Sequence, residues 1–249
     1  LVVLITAWWM VRYQEVWTRL QESLPRLVLL LLIIGLPLGL ILFEPDFGTT
    51  VLVALVVFIL VFLGGLHRAL LVGFGGTLVV GAIAAVVASP YRMERVMSFR
   101  NPEADPLGKG HQALQSLIAV GNGGIFGVGV GNSMQKLFYL PEAHNDFIFA
   151  VIGEEAGLVG TVAVLLLFMA ILWRGYRITR RLRDHYLRLC AIGFTMLLVV
   201  QAFMNMSVVL SIAPNKGIPL PFISYGGTSL MASLATLGLL LAVSKEAGE

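Results

Sequence analysis

Charge is what this sequence has least of. Only 12% of its 249 residues are Asp, Glu, Lys or Arg, against about 25% in a soluble domain, while 58% are hydrophobic and the mean hydropathy is +0.90. That composition excludes an ordinary soluble domain and points to a polytopic membrane protein. The net charge of +3 is too small for a nucleic-acid footprint, so no nucleic-acid partner is expected. One cysteine, Cys190, excludes an intrachain disulfide and a multi-cysteine metal site. Neither H-E-x-x-H nor G-x-S-x-G is present, which removes the zinc-protease and serine-hydrolase signatures. No initiator Met, basic leader or cleavage site precedes the apolar run that opens at Leu1, so the chain reads as truncated at its start.

What the sequence does have is a series of apolar runs. Leu1–Met10 reads as the end of a helix, with Trp8 and Trp9 suited to an interfacial belt and Arg12 and Arg19 following. Further spans are expected at about 27–43, 47–66, 69–88, 147–173, 189–212 and 229–243. The fold class is therefore all-α: a transmembrane helical bundle of about seven spans forming a single domain over 1–249, with one large extracytoplasmic loop at 89–145. Gly73, Gly75, Gly76 and Gly81 in the fourth span suit close helix packing, and Gln201 and Asn205 suit helix–helix hydrogen bonds. Glu44 and Asp46 stand in a turn, where they cap the next helix or face a polar cavity. Arg174, Arg177, Arg180, Arg181, Arg183 and Arg188 form the most basic connection, which the positive-inside rule makes cytoplasmic. Counting outward from it places the 89–145 loop and the turns at 44–50 and 214–226 on the outer face.

The long loop has its own grammar. Residues 90–95 form a short amphipathic piece, 101–110 are turn chemistry, and 111–120 (HQALQSLIAV) are spaced like a helix on the membrane surface. The run GNGGIFGVGVGN at 121–132 fits no phosphate-loop pattern, since Gln135 stands where the Gly before Lys136 would be required. It reads as a re-entrant or tightly folded loop. Then comes Tyr139–Gly160, YLPEAHNDFIFAVIGEEAGLVG, which carries Asp146, Glu154 and Glu155 into an apolar run. An ionised carboxylate at a bilayer centre costs at least ~2.5–3.5 kcal/mol, so such acids need a partner, a water cavity or a task. Asp146 after Pro141 reads equally as a helix cap or as a functional acid. On a helix, Glu154 would lie ~80° round from Asp146 and ~12 Å deeper, with Glu155 on the opposite side. The pair is then too far apart for a two-carboxylate glycosidase, whose acids sit ~5–9.5 Å apart. One acid at the outer face, with loop cations Arg92, Arg95, Lys109, Lys136 and Lys216, suits deprotonation of a sugar hydroxyl while a phosphate departs.

The segment from Tyr91 to Gly160 resembles the extracytoplasmic loop and following helix of the SEDS family (shape, elongation, division and sporulation). Glu44-Pro45-Asp46-Phe47-Gly48-Thr49-Thr50 and Pro219-Leu220-Pro221-Phe222-Ile223-Ser224-Tyr225-Gly226-Gly227-Thr228-Ser229 are similar to two further family motifs. The likeness covers essentially the whole chain, and 129–136 and 139–144 are closer to the division member than to the elongation member, with the sporulation member also close. The resemblance implies ten transmembrane helices, of which this chain would hold the last seven. It implies a peptidoglycan glycosyltransferase that polymerises lipid II in the bacterial cytoplasmic membrane at the division septum. It places the catalytic acid at Asp146, and the candidate substrate-binding residues are Lys136, Lys216, Glu142, His144, Arg92, Gln115 and Ser224. The expected partners are lipid II, a class B penicillin-binding protein transpeptidase, other divisome proteins and the membrane. No cofactor motif is present; a divalent cation is compatible with the pyrophosphate chemistry. Asn145 stands where Thr is commoner and Glu44 where Gln is commoner, and the family's Pro-Ser-Glu and Lys motif would precede Leu1. A lipid II flippase and a division scaffold are the competing readings.

Overall fold

The computed structural model describes residues 1–44, 46–100, 111–138, 144–214 and 217–248, the side chain of Arg100 excepted. Among them are ten α-helices and no strand: α1 (Val2–Arg12), α2 (Leu20–Phe43), α3 (Phe47–Leu63), α4 (Arg68–Val87), α5 (Pro90–Arg100), α6 (His111–Asn122), α7 (Met134–Phe138), α8 (Ile148–Arg181), α9 (His185–Val209) and α10 (Gly227–Glu246). Five of them, α2, α4, α8, α9 and α10, are long and apolar enough to cross a membrane, and α1 and α3 are shorter apolar helices. The chain condenses into two compact units, one of Leu1–Ala84, Leu172–Leu197 and Thr236–Glu249, the other of Ala85–Ile171 and Leu198–Ala235.

In the first unit α3 packs against α1 and α2. Asp46 answers the cap-or-cavity question: its Oδ1 accepts from Thr49 N at 2.9 Å, satisfying one of the donors that a helix start leaves over. The connection after α1 folds inward. Trp17 is fully buried, its Nε1 donating to Met10 O at 2.8 Å, and its carbonyl accepts from His67 N at 2.9 Å. Trp8 is exposed, whereas Trp9 is buried and donates to Arg26 O, which removes Trp9 from the expected belt. The glycines of α4 differ from expectation more clearly. Gly75 alone approaches a neighbour, Phe58 of α3, whereas nothing described lies near a Cβ built on Gly73, Gly76 or Gly81.

The spans are longer than the apolar runs alone. α8 continues through Arg181, so Arg174, Arg177, Arg180 and Arg181 lie on its last turns rather than in a loop, and only 182–184 connect it to α9. Arginine stems can run along a helix while their heads reach water. By the positive-inside rule the basic end of α8 is expected to be the cytoplasmic one, with its first residue and Asp146 outside. Accordingly, a cysteine at exposed His144 should react with an impermeant thiol reagent on intact cells and one at Arg183 should not. Labelling at 183 alone would invert the topology.

The second unit holds the elements of the long loop and a core of Ala119, Phe147, Phe149, Ala150, Val151, Phe168, Ala202, Met206, Val209 and Leu220. Its organising feature is a break in α8 that the sequence pattern did not announce. Gly157 adopts φ 65°, ψ −157°, a region open in practice only to glycine. The backbone groups freed there are taken up by the Gly-rich run. Val128 N and Gly129 N donate to Glu154 O and Glu155 O, both at 3.0 Å, while Leu158 N and Val159 N donate to Gly124 O and Ile125 O at 2.9 and 3.2 Å. A tightly folded, re-entrant run was expected here, and its partner is the broken span itself. The approach leaves no room for side chains: a Cβ on Gly123 would sit 1.9 Å from Gly153 O, and one on Gly127 2.1 Å from Glu155 O. Gly157→Ala should therefore cost at least ~1–3 kcal/mol from backbone strain alone. The check is thermal unfolding in detergent, with Gly121→Ala, which has open space at its Cβ, as the variant expected to melt like the parent.

Candidate active site

The site is a turn, residues 144–147, held from behind by α9 and by the non-helical segment after it. Val151 N donates to Phe147 O, so Phe147 stands at the N-cap of α8 and Asp146 one residue outside it. Phe147 is buried and anchors the turn in the core. Asn205, four residues from the end of α9 and 1% exposed, donates through Nδ2 to Asp146 O and to Ile218 O, both at 2.7 Å. Ser224 Oγ donates to Asn145 O and accepts from Leu220 N, both at 2.6 Å, and Tyr225 N donates to His144 O at 2.9 Å. Gln201 Nε2 donates to Pro219 O at 2.9 Å. Gln201 and Asn205, expected to join helices, instead tie two irregular segments to one helix. The physical reason is local: a chain rich in proline cannot satisfy its own carbonyls, and the nearest donors are these amides. Phe222, in the same segment, is held at φ 66°, a conformation that non-glycine residues seldom keep without surrounding support.

Within this frame the Asp146 carboxylate is half-buried and lies against Gly217, where a Cβ would stand 2.9 Å from Oδ2. Gly217 is thus a site residue that sequence reasoning missed, and Asn205 another. The available signal was two amides at helical spacing just before a proline-rich segment.

The other expected site residues divide. His144 is exposed, next but one to Asp146. Ser224 is buried, with its hydroxyl engaged as described. Gln115 is half-buried on α6. Arg92 is half-buried on α5 and donates to Ala85 O at 3.0 Å. Arg95, on the same helix, lies 4.6 Å over the Tyr91 ring and donates to its hydroxyl. Together with Tyr91, Ser98, Phe99, Gln112 and Phe147, the residue after Asp146, it lines a small pocket. Lys216, Glu142 and Lys109 lie outside the described residues.

Lys136 has a partner inside the protein. Its Nζ lies 3.1 Å from Glu155 Oε1, with the lysine side chain 24% exposed. Glu154, 2% exposed, accepts from Ser133 Oγ and from Gln135 N. Glu154 and Glu155, expected on opposite sides of α8, therefore hold the same short segment. These contacts tie α7 to α8 just ahead of its break, and Ser133, whose Oγ accepts from Lys136 N at 3.1 Å, caps α7. Among the described residues no three His, Cys, Asp or Glu side chains gather as a metal site.

Helices long and apolar enough to cross a membrane, one of them broken and refilled by a glycine loop, define a polytopic helical membrane protein with Asp146 on the turn ahead of the broken helix. The profile of the cell cycle protein family FtsW/RodA/SpoVE matches residues 1–249 in full, and the chain belongs to that family. It is 42% identical, over 98% of its length, to the probable peptidoglycan glycosyltransferase FtsW of Coxiella burnetii, of which it covers 66%. It is 44% identical over 81% of its length to stage V sporulation protein E of Bacillus subtilis, covering 55% of that protein. Among solved structures, it resembles a chain of a peptidoglycan synthase complex that coordinates polymerization and crosslinking, at 34% identity and a TM-score of 0.71, over 92% of this chain and 63% of that one. It also resembles the rod shape determining protein RodA of Thermus thermophilus, at 28% identity and a TM-score of 0.61, over 100% of this chain and 66% of that one. The chain thus spans two thirds or less of each of these proteins.

Proposed function

We propose that the whole protein is a peptidoglycan glycosyltransferase that polymerises lipid II at the outer face of the bacterial cytoplasmic membrane, during septal wall synthesis in cell division. The observation that carries the reading is Asp146, an acid on a turn fixed by Asn205, Ser224 and Tyr225, with its carboxylate against Gly217 at the outer mouth of a span. Asp146 takes the proton from the acceptor sugar hydroxyl. The oxygen then attacks the anomeric carbon of the growing chain, and the bond to undecaprenyl pyrophosphate breaks with its electron pair leaving on the phosphate. Preorganisation favours this role, because a base held by its backbone loses little on reaching the reactive geometry.

The pyrophosphate lies against loop cations, with Lys136 and Lys216 first among them and Arg92 alongside. Glu142, His144, Gln115 and Ser224 complete the proposed substrate contacts, Ser224 acting through the turn it holds. No resident cofactor belongs to this reading; a divalent cation would come as counter-ion to the substrate pyrophosphate. The similarity to a chain of a synthase complex that polymerises and crosslinks supports a class B penicillin-binding protein as partner. A transporter reading would need a broken helix whose ends face a substrate. Here the ends at Gly157 are filled by residues 124–129, which favours catalysis over flipping.

The test is glycan polymer formation from purified lipid II by the full-length protein with its transpeptidase partner in detergent, where flipping has no meaning. Polymer is the expected result, and its absence from an otherwise folded complex defeats the proposal. A companion pair separates the two roles open to Lys136. If it holds phosphate, Lys136→Ala should weaken lipid II binding roughly tenfold or more, while Glu155→Gln should not. Equal losses in both variants would make Lys136 a structural ion pair.

A further inference from the structure

We infer that α6 and the Gly-rich loop form a wedge that inserts into the outer leaflet, the occupant of its apolar surface being the acyl chains of bulk lipid. α6 buries Ser116 and Ala119 and exposes Leu117 and Ile118 at 38% each. The loop that follows exposes Ile125 at 61%, Phe126 at 81% and Val130 at 89%. From Gln112 to Gly131 the sequence carries no Asp, Glu, Lys, Arg or His, and Asn122 and Asn132 bracket the apolar stretch. In water such a surface is unfavourable for a loop that packs its backbone, not its side chains, on the protein.

Depth is set by the backbone pairing. The loop bonds to residues 154–159 of α8, and Ile125 O accepts from Val159 N with both side chains exposed, so the loop surface continues that of the span. From Leu158 to Trp173, just before the first arginine of α8, the helix has ~16 residues, or roughly 24 Å at 1.5 Å each. A bilayer's hydrocarbon is about 30 Å thick. The break and the loop paired across it therefore occupy the outermost part of the hydrocarbon, the zone that amphipathic helices take. Backbone groups of the loop that pair with α8 are satisfied without water, as that position requires. The helical turns of α8 ahead of the break then carry Asp146 up to headgroup level. This consequence rests on the reading above that the substrate is lipid-linked, because that is the height at which its sugar phosphate is presented.

The experiment uses full-length protein in nanodiscs of phosphatidylcholine and phosphatidylglycerol, in a background without other reactive thiols. Phe126→Cys and Val130→Cys are labelled separately with an environment-sensitive fluorophore, with Val162→Cys on the exposed face of α8 as the lipid control and Arg183→Cys as the aqueous control. Folding of each is checked by size-exclusion profile, and two positions guard against loss of one. The inference expects quenching by shallow nitroxide lipids at 126 and 130 comparable to that at 162, with iodide quenching well below that at 183. Strong iodide quenching without lipid quenching would place the loop in water. Quenching by neither would place it under another protein. Either outcome overturns the wedge. Because the readout is lipid contact, it is independent of whether the protein polymerises glycan, and failure of one reading leaves the other standing.

Discussion

Asp146→Asn should leave the full-length protein folded and able to bind lipid II, while glycan polymerisation falls by ~10²–10⁴, the usual cost of losing a general base. The amide is isosteric with the carboxylate. Asn205, Ser224 and Tyr225 hold the turn through the backbone carbonyls of Asp146, Asn145 and His144, and the substitution removes none of these bonds. A structural role for Asp146 would instead show as lowered thermal stability with activity per folded molecule kept. Asp146→Glu adds a methylene beside Gly217 and should recover only part of the rate, since the base is displaced toward a surface with little free space.

Asn205→Leu is expected to be the second most damaging change. The residue is buried and its one amide nitrogen serves two carbonyls, Asp146 O and Ile218 O. Leucine preserves volume but leaves both acceptors without that donor, at a cost of ~1–3 kcal/mol for each buried group left unmade. The consequence for rate is larger than for folding, because a displacement of about 1 Å at a catalytic group costs ~10² in rate. The expected signature is a fall in kcat with little change in KM for lipid II, together with a lower Tm. Asn205→Gln, which keeps an amide on a longer arm, should restore part of the rate. A loss of stability with an unchanged kcat for the folded fraction would reduce Asn205 to a packing residue.

Much of this was legible in the sequence, and the exceptions have specific causes. Apolar length located the spans, and Asp46, which the sequence left between cap and polar cavity, is a cap in the structure. The basic run still marks one end of α8 although four of its arginines lie on the helix itself, since the positive-inside rule depends on charge near the membrane end and not on helix boundaries. Periodicity placed Gln201 and Asn205 on one face but could not name their partners, which come from a segment distant in sequence and irregular in backbone. The break at Gly157 was hidden because glycine is common in membrane helices, and the loop that fills it pairs through main-chain groups that leave no side-chain signature. Lys136 was read as a loop cation because its counter-charge, Glu155, lay in what looked like an uninterrupted span.

On this mechanism a fixed turn presents Asp146 as a base to a lipid-linked sugar. The most direct measurement sets lipid II binding beside glycan-strand length on gels, for the parent and for Asp146→Asn, each as full-length protein with its transpeptidase partner. Equal binding is expected, with strands in the parent lane only; strands from Asp146→Asn at near the parental rate would rule out Asp146 as the base.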